Sequence, residues 1–127
     1  MDKMPRVLVV DDDPRVRSFL LRILRPLAAT IIEADNGIDA LLKVNDLEEY
    51  SEQFALILSD TMMPAMDGTE LFRQMKKRGF DMKRFWLMSG GMSPDKKRFV
   101  KEQGITLIEK PIDSNELLEL VRQILAS

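Results

Sequence analysis

Acidic, hydroxyl and ammonium side chains stand at the ends of short apolar runs in this chain. In chain order these residues are Asp11, Asp12, Asp13, Asp60, Ser89 and Lys110. Two carboxylates about 4 Å apart repel each other by roughly 4 kcal/mol at an effective dielectric constant near 20, so a carboxylate cluster needs positive charge inside it. Hard oxygen ligands favour Mg²⁺, which takes one or two protein carboxylates and keeps several waters. If the runs meet at one edge, these residues predict a weak, solvent-accessible Mg²⁺ site beside a lysine.

The apolar runs predict five strands, because they are too short for helices and rich in branched or aromatic residues. They cover residues 6–10, 30–34, 54–59, 85–88 and 105–108. Between and after them, apolar residues recur at helical spacing, most clearly over 16–27 and 117–125. Five residues are typical of helix caps: Asp13, Asn36, Asp67, Ser93 and Asp113. We interpret Asp13 as a cap rather than a ligand.

Strict alternation of strand and helix predicts a doubly wound α/β fold, in which a five-stranded parallel sheet is covered by five helices. In such a sheet the functional crevice lies outside the carboxyl ends of the strands. The acidic, hydroxyl and lysine residues follow those ends, so the fold would bring them to one edge.

The composition excludes several kinds of catalysis. The chain has 127 residues, 45% hydrophobic and 31% charged, which predicts one domain over 1–127 and argues against disorder or membrane spanning. The absence of cysteine and histidine removes thiol nucleophiles, imidazole bases and zinc sites that use either residue. The net charge of −2 gives no excess for nucleic acid binding, and residues 1–5 contain no signal-peptide segment. We therefore expect a cytoplasmic protein with no nucleic acid or membrane partner.

Four stretches of the sequence resemble the receiver domain of two-component response regulators. They are VLVVDDD at 7–13, DTMMPAMDG at 60–68, MSG at 88–90 and EKP at 109–111. Each stretch is weak alone, but the four occur in the family's order, one at each of four strand ends, and the resemblance covers nearly the whole chain. It implies the flavodoxin-like strand order 2-1-3-4-5.

The resemblance also implies a phosphoryl transfer. Asp60 would attack the phosphorus of a phosphohistidine on a sensor histidine kinase or a histidine phosphotransfer protein and become an aspartyl phosphate. Asp12, one oxygen of Asp60 and the backbone carbonyl of Met62 would bind Mg²⁺, and Asp11 would support the ion through bound water. Phosphorylation adds about −1.5 to −2 charges, which the metal, a lysine and a hydroxyl can offset.

Two further roles follow from the same resemblance. Lys110 would pair with the phosphoryl group, and its bond to Pro111 would be cis. Ser89 would move to donate its hydroxyl to the phosphoryl group, passing the change to the face formed by the fourth helix, fifth strand and fifth helix.

The resemblance also implies a docking surface for the kinase. The kinase would dock against Arg15, Val16 and Phe19 at the start of the first helix, together with Pro111.

Three positions depart from the family pattern. Leu107 stands three residues before the lysine, where the family often has a Tyr or Phe that reorients on phosphorylation. Met62 and Gly91 stand where side chains influence hydrolysis of the phosphoryl group, and neither has a polar side chain that could hold a water. We therefore expect a long-lived phosphorylated form, with an external phosphatase as a source of fast turnover.

Other functions fit the residues less well. A Mg²⁺-dependent small-molecule phosphohydrolase with an aspartyl-phosphate intermediate is the alternative, but haloacid dehalogenase-like enzymes need an aspartate where Met62 stands. A flavodoxin-like flavin carrier would meet repulsion from Asp11 to Asp13, and a P-loop nucleotidase needs a glycine-rich loop that the chain lacks. We expect a signalling domain, not an enzyme acting on separate substrates, and a monomer or phosphorylation-dependent dimer. The sequence leaves open whether it acts alone or within a larger regulator or hybrid kinase.

Overall fold

Five strands alternate with five helices in residues 6–28, 30–45 and 54–126, the parts of the chain that the computed structural model describes. The strands are β1 (Arg6–Val10), β2 (Thr30–Ala34), β3 (Leu56–Asp60), β4 (Phe85–Ser89) and β5 (Thr106–Glu109). The helices are α1 (Pro14–Leu24), α2 (Gly37–Asn45), α3 (Gly68–Lys77), α4 (Pro94–Gln103) and α5 (Ser114–Ala126). The expectation about residues 1–5 lies outside these ranges. No helix within them is long and apolar enough to cross a bilayer.

The strands form one parallel sheet in the order β2-β1-β3-β4-β5, which confirms the predicted fold class and strand order. Val10 pairs with Ala34 on one side and with Ser59 on the other, and Asp60 pairs with Met88. The carboxyl ends of β1, β3 and β4 therefore meet at one edge of the sheet, where the acidic and hydroxyl residues stand.

Both faces of the sheet are buried. Leu8 and Val10 of β1 pack into a core formed with α2, α3 and α4, whereas Val7 and Val9 pack into a second core formed with α1 and α5. All four of these side chains are fully buried. Coverage on both faces explains why the strand sequences are almost continuously apolar instead of alternating.

The five predicted caps are confirmed. The side chains of Asp13, Asn36, Asp67, Ser93 and Asp113 each accept a hydrogen bond from a backbone N–H two or three residues further on, at 2.8–3.3 Å. These bonds satisfy N–H groups that the first helical turn leaves without a partner. Each helix thus begins at a fixed residue close to the functional edge.

Five predicted strand boundaries, in three of the strands, are wrong by one or two residues. β3 begins at Leu56 and not at Phe54, whose ring packs in the core 6.1 Å from that of Phe80. β3 and β4 each extend one residue further, to Asp60 and Ser89, because these residues still pair across the sheet. β5 begins one residue later, because the N–H of Ile105 donates to the carbonyl of Val100 and closes α4, and it also ends one residue later than predicted.

Candidate functional site

Asp60 lies at the centre of the functional edge as the last residue of β3. Its side chain is buried, and its Oδ1 accepts hydrogen bonds from the backbone N–H of Thr61 (2.9 Å) and from Nζ of Lys110 (3.1 Å). The hydroxyl of Thr61 donates to the carbonyl of Met88 (2.9 Å), which ties the end of β3 to β4. The carboxylate is therefore held in one orientation by backbone and ammonium together.

Asp11 and Asp12 stand next to Asp60 at the end of β1. Asp11 is fully buried and its Oδ1 accepts the N–H of Asp13 (2.8 Å), whereas Asp12 is exposed. One carboxylate oxygen from each of Asp11, Asp12 and Asp60 lies within 4.8 Å of the other two. The acidic residues singled out in the sequence therefore form one cluster, except Asp13, which caps α1.

Lys110, the residue after β5, contacts this cluster, and its backbone is bonded to Ser89. Nζ of Lys110 lies 3.5 Å from Oδ2 of Asp11 in addition to its bond to Asp60. The backbone N–H of Lys110 donates to the carbonyl of Ser89 (2.8 Å), and the peptide bond to Pro111 is cis, as the resemblance implies. Ser89 is buried, and its Oγ accepts the N–H of Gly91 (3.0 Å), so its hydroxyl proton can point toward another acceptor.

The charges in this cluster are unbalanced. Burial raises the pKa of Asp60 above its usual range, against the opposing effect of Lys110, and burial together with the charge of Asp60 raises the pKa of Asp11. Burial by itself would lower the pKa of Lys110, but its bond to Asp60 and the charge of Asp11 outweigh burial and raise it. One ammonium thus faces three carboxylates.

The cluster fits a divalent cation. Within the described ranges, Oδ2 of Asp11 is buried and accepts no hydrogen bond; the ammonium of Lys110, 3.5 Å away, donates to Asp60 instead. A buried carboxylate oxygen without a hydrogen bond is costly, a bound cation would offset that cost, and oxygen-only ligands suit Mg²⁺. The orphaned oxygen and the packing of the three carboxylates therefore agree with the predicted metal, and Met62, whose carbonyl was predicted as a further ligand, stands two residues after Asp60.

Arg17 and Gly68 support the site but were missed by the sequence analysis. Nη1 of Arg17 donates to the carbonyl of Asp11 (2.6 Å), and its Nε lies 3.7 Å from Glu33 at the end of β2. A Cβ on Gly68 would lie 2.3 Å from the carbonyl oxygen of Asp60. The position of Arg17, one turn after the cap Asp13, and the Asp-Gly pair before α3 were the available signals.

Lys96, on the first turn of α4, also reaches toward this edge. Its Nζ lies 3.1 Å from Oδ2 of Asp67, the cap of α3, and donates to Sδ of Met62 (3.2 Å). Met62 is the most exposed of the large apolar side chains described, with 64% of its surface accessible. Nothing in the sequence pairs a lysine in α4 with an aspartate in another helix.

A groove of about 400 Å³ opens beside Lys110. The four residues predicted to form a docking surface, Arg15, Val16, Phe19 and Pro111, all line it. A second, smaller cavity of about 180 Å³ lies beside Ser89 and is lined by Gly91 and Leu107 among others. Leu107 therefore lines the same cavity as Ser89, although it offers no aromatic ring there.

The known proteins that are similar to this chain include response regulators and sensor kinases. A family model described as the response regulator receiver domain matches residues 7–122. The chain is 27% identical over 96% of its length to the response regulator receiver protein CpdR of Brucella abortus, of which it covers 98%. It is 30% identical to the sensor histidine kinase GacS of Pseudomonas protegens, over 94% of this chain. The chain spans 13% of GacS, 26% of the transcriptional regulatory protein DctD of Pseudomonas aeruginosa and 12% of the sensor kinase CckA of Brucella abortus.

Solved structures with a similar backbone are also receiver proteins. A response regulator receiver protein from Pseudomonas putida has a TM-score of 0.82 at 26% identity, covering 97% of this chain and 99% of that one. The chemotaxis protein CheY4 of Vibrio cholerae has a TM-score of 0.79 at 27% identity, covering 96% of this chain and 99% of its own. Both the sequence and the backbone therefore resemble receiver domains over almost the full chain.

Proposed function

The chain belongs to the response regulator receiver domain family, the phosphoacceptor signalling domains of two-component systems, and from that premise we propose that Asp60 is its phosphoacceptor. The observation that carries the proposal is the contact between a buried carboxylate and Lys110, 3.1 Å apart, beside two further aspartates at the strand ends. Aspartates and a lysine converging there suit the binding of a phosphoryl group together with a cation.

The transfer would proceed by attack of an Asp60 oxygen on the phosphorus of a phosphohistidine. The new oxygen–phosphorus bond forms as the nitrogen–phosphorus bond breaks, and the leaving imidazole takes up a proton. Thr61 and Lys110, which hold Oδ1 of Asp60, orient the carboxylate for this attack. Positioning and charge stabilisation are the main contributions a protein makes to phosphoryl transfer.

Three groups would meet the charge of the phosphoryl oxygens. Lys110 pairs with one of them, and Ser89, whose hydroxyl proton is available, donates to another. Asp12, Asp60 and the carbonyl of Met62 would hold Mg²⁺, with Asp11 supporting the ion through bound water, and the ion would supply further positive charge when bound. The orphaned Oδ2 of Asp11 supports this ligand set. The domain then catalyses only its own phosphorylation and dephosphorylation.

The partner would be a sensor histidine kinase or a histidine phosphotransfer protein, docked in the groove beside Lys110. The groove offers apolar contacts from Val16, Phe19 and Pro111 and a cation from Arg15, and it opens directly onto the site. Proteins that carry a similar stretch include sensor kinases and transcriptional regulatory proteins. Regulators of transcription act where the DNA is, so the cytoplasm is the proposed compartment.

The output would be a change in a protein-binding surface, without direct contact to nucleic acid or membrane. We propose a monomer or a dimer that forms on phosphorylation. A separate phosphatase would remove the phosphoryl group when fast turnover is needed. The face of α4, β5 and α5 adjoins Ser89 through the loop that follows β4, which supports its role as the surface that changes.

Labelling by a small phosphodonor tests the proposal. Acetyl phosphate with Mg²⁺ should add one phosphoryl group to the parent protein, measured as intact mass, and addition should stop with EDTA. Asp60→Asn should abolish labelling, whereas the control Asp95→Asn, an exposed residue on α4, should label fully. Undiminished labelling of Asp60→Asn would contradict the assignment.

A further inference from the structure

Lys96 joins two helices across the mouth of the site. It lies on the first turn of α4, where its backbone N–H donates to the capping Oγ of Ser93 (3.3 Å). Its ammonium is 3.1 Å from Oδ2 of Asp67 and 3.2 Å from Sδ of Met62. Its side chain is only 26% exposed, so the ammonium is partly shielded from water and held between α4 and the segment after β3.

Asp67 uses its two oxygens for different purposes. Oδ1 accepts the backbone N–H of Glu70 (2.9 Å) and the hydroxyl of Thr69 (2.7 Å), which caps α3. Oδ2 faces Lys96. Burial would raise the pKa of Asp67, but the bonds from Glu70, Thr69 and Lys96 outweigh it and hold the pKa below its usual range. The ion pair with Lys96 is therefore separable from the cap.

Both partners of Lys96 are attached to the end of the acceptor strand. Met62 is two residues after Asp60. Asp67 immediately precedes Gly68, whose N–H donates to the carbonyl of Thr61 (2.9 Å) and whose Cα packs against the carbonyl of Asp60. An uninterrupted set of contacts thus leads from Asp60 to the first turn of α4.

We propose that Lys96 is a positioning residue that couples phosphorylation of Asp60 to α4: Asp67 and Met62 hold its ammonium in the unphosphorylated protein, and the phosphoryl group draws it away. The proposal rests on the proposed function of Asp60. A phosphoryl group brings about −1.5 to −2 charges, against −1 for Asp67, and its oxygens are strong acceptors. The thioether of Met62 is a weak acceptor, so it opposes the exchange little.

The exchange gives α4 a reason to move. The backbone of Lys96 is fixed to the helix start by Ser93, so a shift of the ammonium acts on the whole first turn. The segment that connects this turn to Ser89 contains Gly90 and Gly91, where an added Cβ would meet nothing within 4 Å. The connection can therefore follow the helix. Leu107 offers no aromatic ring to carry the change, so the ammonium of Lys96 would act beside Ser89 as a second link from the site to α4.

Amide hydrogen exchange measures this coupling in residues 93–98, with and without beryllofluoride and Mg²⁺ as the phosphoryl mimic. The parent protein should change its protection in this segment when the mimic binds. In Lys96→Met, the segment should exchange about threefold faster without the mimic, the effect of losing one partly shielded ion pair. The further change on adding the mimic should fall by at least half.

Three variants separate coupling from simple structural damage. Lys101→Met removes an exposed lysine from the same helix and should respond like the parent. Lys96→Arg keeps a cation and should restore the response. Asp67→Asn keeps the Oδ1 acceptor that caps α3 but removes the charge facing Lys96, so it should speed basal exchange of the segment without melting α3.

Labelling by acetyl phosphate is measured in parallel, because it separates the two proposals. If acetyl phosphate fails to label the parent protein, the assignment of Asp60 as the phosphoacceptor is overturned. Full labelling of Lys96→Met with an unchanged response to the mimic would overturn the role of Lys96 alone. A parent protein whose 93–98 segment ignores the mimic, or a Lys96→Arg variant that fails to restore the response, would also contradict the coupling.

Discussion

The two sides of the site differ in how firmly they are held. On the acidic side, the carbonyl of Asp11 accepts from Arg17, its Oδ1 accepts from Asp13, and Asp60 is bonded to Thr61 and Lys110. On the hydroxyl side, the loop after Ser89 contains two exposed glycines with open space around them. The difference separates two tasks: the acceptor carboxylate stays in place, while the residues that respond to a new charge are free to move.

The largest expected effect comes from disturbing the acidic side with one methyl group. In Gly68→Ala, the added Cβ would lie 2.3 Å from the carbonyl of Asp60 and 2.6 Å from Cδ2 of Leu87. Overpacking of this kind costs about 2–3 kcal/mol, which urea unfolding would measure. The matched control is Gly90→Ala on the hydroxyl side, where the Cβ meets nothing within 4 Å. A similar loss of unfolding free energy in both variants would show that the two sides are equally rigid.

Docking should depend on the groove beside Lys110 and not on the loop after Ser89. Phe19→Ala should slow phosphoryl transfer from a protein phosphodonor by about tenfold, as expected when one anchor residue of an interface is truncated. Labelling by acetyl phosphate should stay within twofold of the parent. Leu42→Ala is the control, because Leu42 is apolar like Phe19 and is exposed, but it lies on α2 and does not line the groove. A loss with both phosphodonors would indicate damage to the fold.

The lifetime of the phosphoryl group depends on one residue from each side, Met62 and Gly91. Hydrolysis needs a water placed in line with the phosphoryl bond, and neither Met62 nor Gly91 has a side chain to place one. We expect a phosphorylated form that lasts minutes or longer. Met62→Asn should shorten the lifetime roughly fivefold, the effect of one new hydrogen bond of about 1 kcal/mol. Met62→Leu should leave it unchanged, and decay of the parent within seconds would contradict the argument.

The smallest effect is a dependence of stability on pH. Because burial raises the pKa of folded Asp60 above 3.8, the folded state binds this proton more tightly than the unfolded state. The associated stability is fully present below pH 3.8 and is lost as pH rises through the folded pKa. Metal-free Asp60→Asn should therefore be more stable than the parent by roughly 0.5–1 kcal/mol at pH 7, with no advantage near pH 3.5.

Thermal unfolding in EDTA at the two pH values would measure this difference. Mg²⁺ is the control, because a cation in the cluster favours the ionised carboxylate and should reduce the advantage of the variant at pH 7. A parent protein that is more stable than Asp60→Asn at pH 7 in EDTA would show that Lys110 more than offsets the burial of the carboxylate.

The local parts of the structure were predictable because their causes are local. Asp13, Asp67 and Ser93 cap helices through bonds to residues only two or three positions away, and short-range spacing records such bonds. The convergence of Asp11 and Asp60 followed from a general property of parallel sheets. The strand ends were less accurate, because Asp60 and Ser89 are polar residues that still pair in the sheet.

The contacts that the sequence did not reveal join distant elements. The bond from Arg17 to the carbonyl of Asp11 depends on how α1 sits against the end of β1. The pair of Lys96 with Asp67 depends on the placement of α4 beside α3. Long charged side chains have no spacing rule across helices, so only the three-dimensional arrangement identifies which lysine of α4 faces the site.

The contact between Lys110 and Asp60 also affects when the protein becomes competent during its synthesis, because the contact joins residues 50 positions apart. Translation adds roughly 5–20 residues per second, so Asp60 is synthesised about 3–10 s before its lysine. Parallel pairing requires each crossover to close before its contacts form, which makes such contacts late in folding. A nascent chain therefore exposes its acceptor aspartate before it can accept a phosphoryl group, and competence to signal begins only when the last strand has docked.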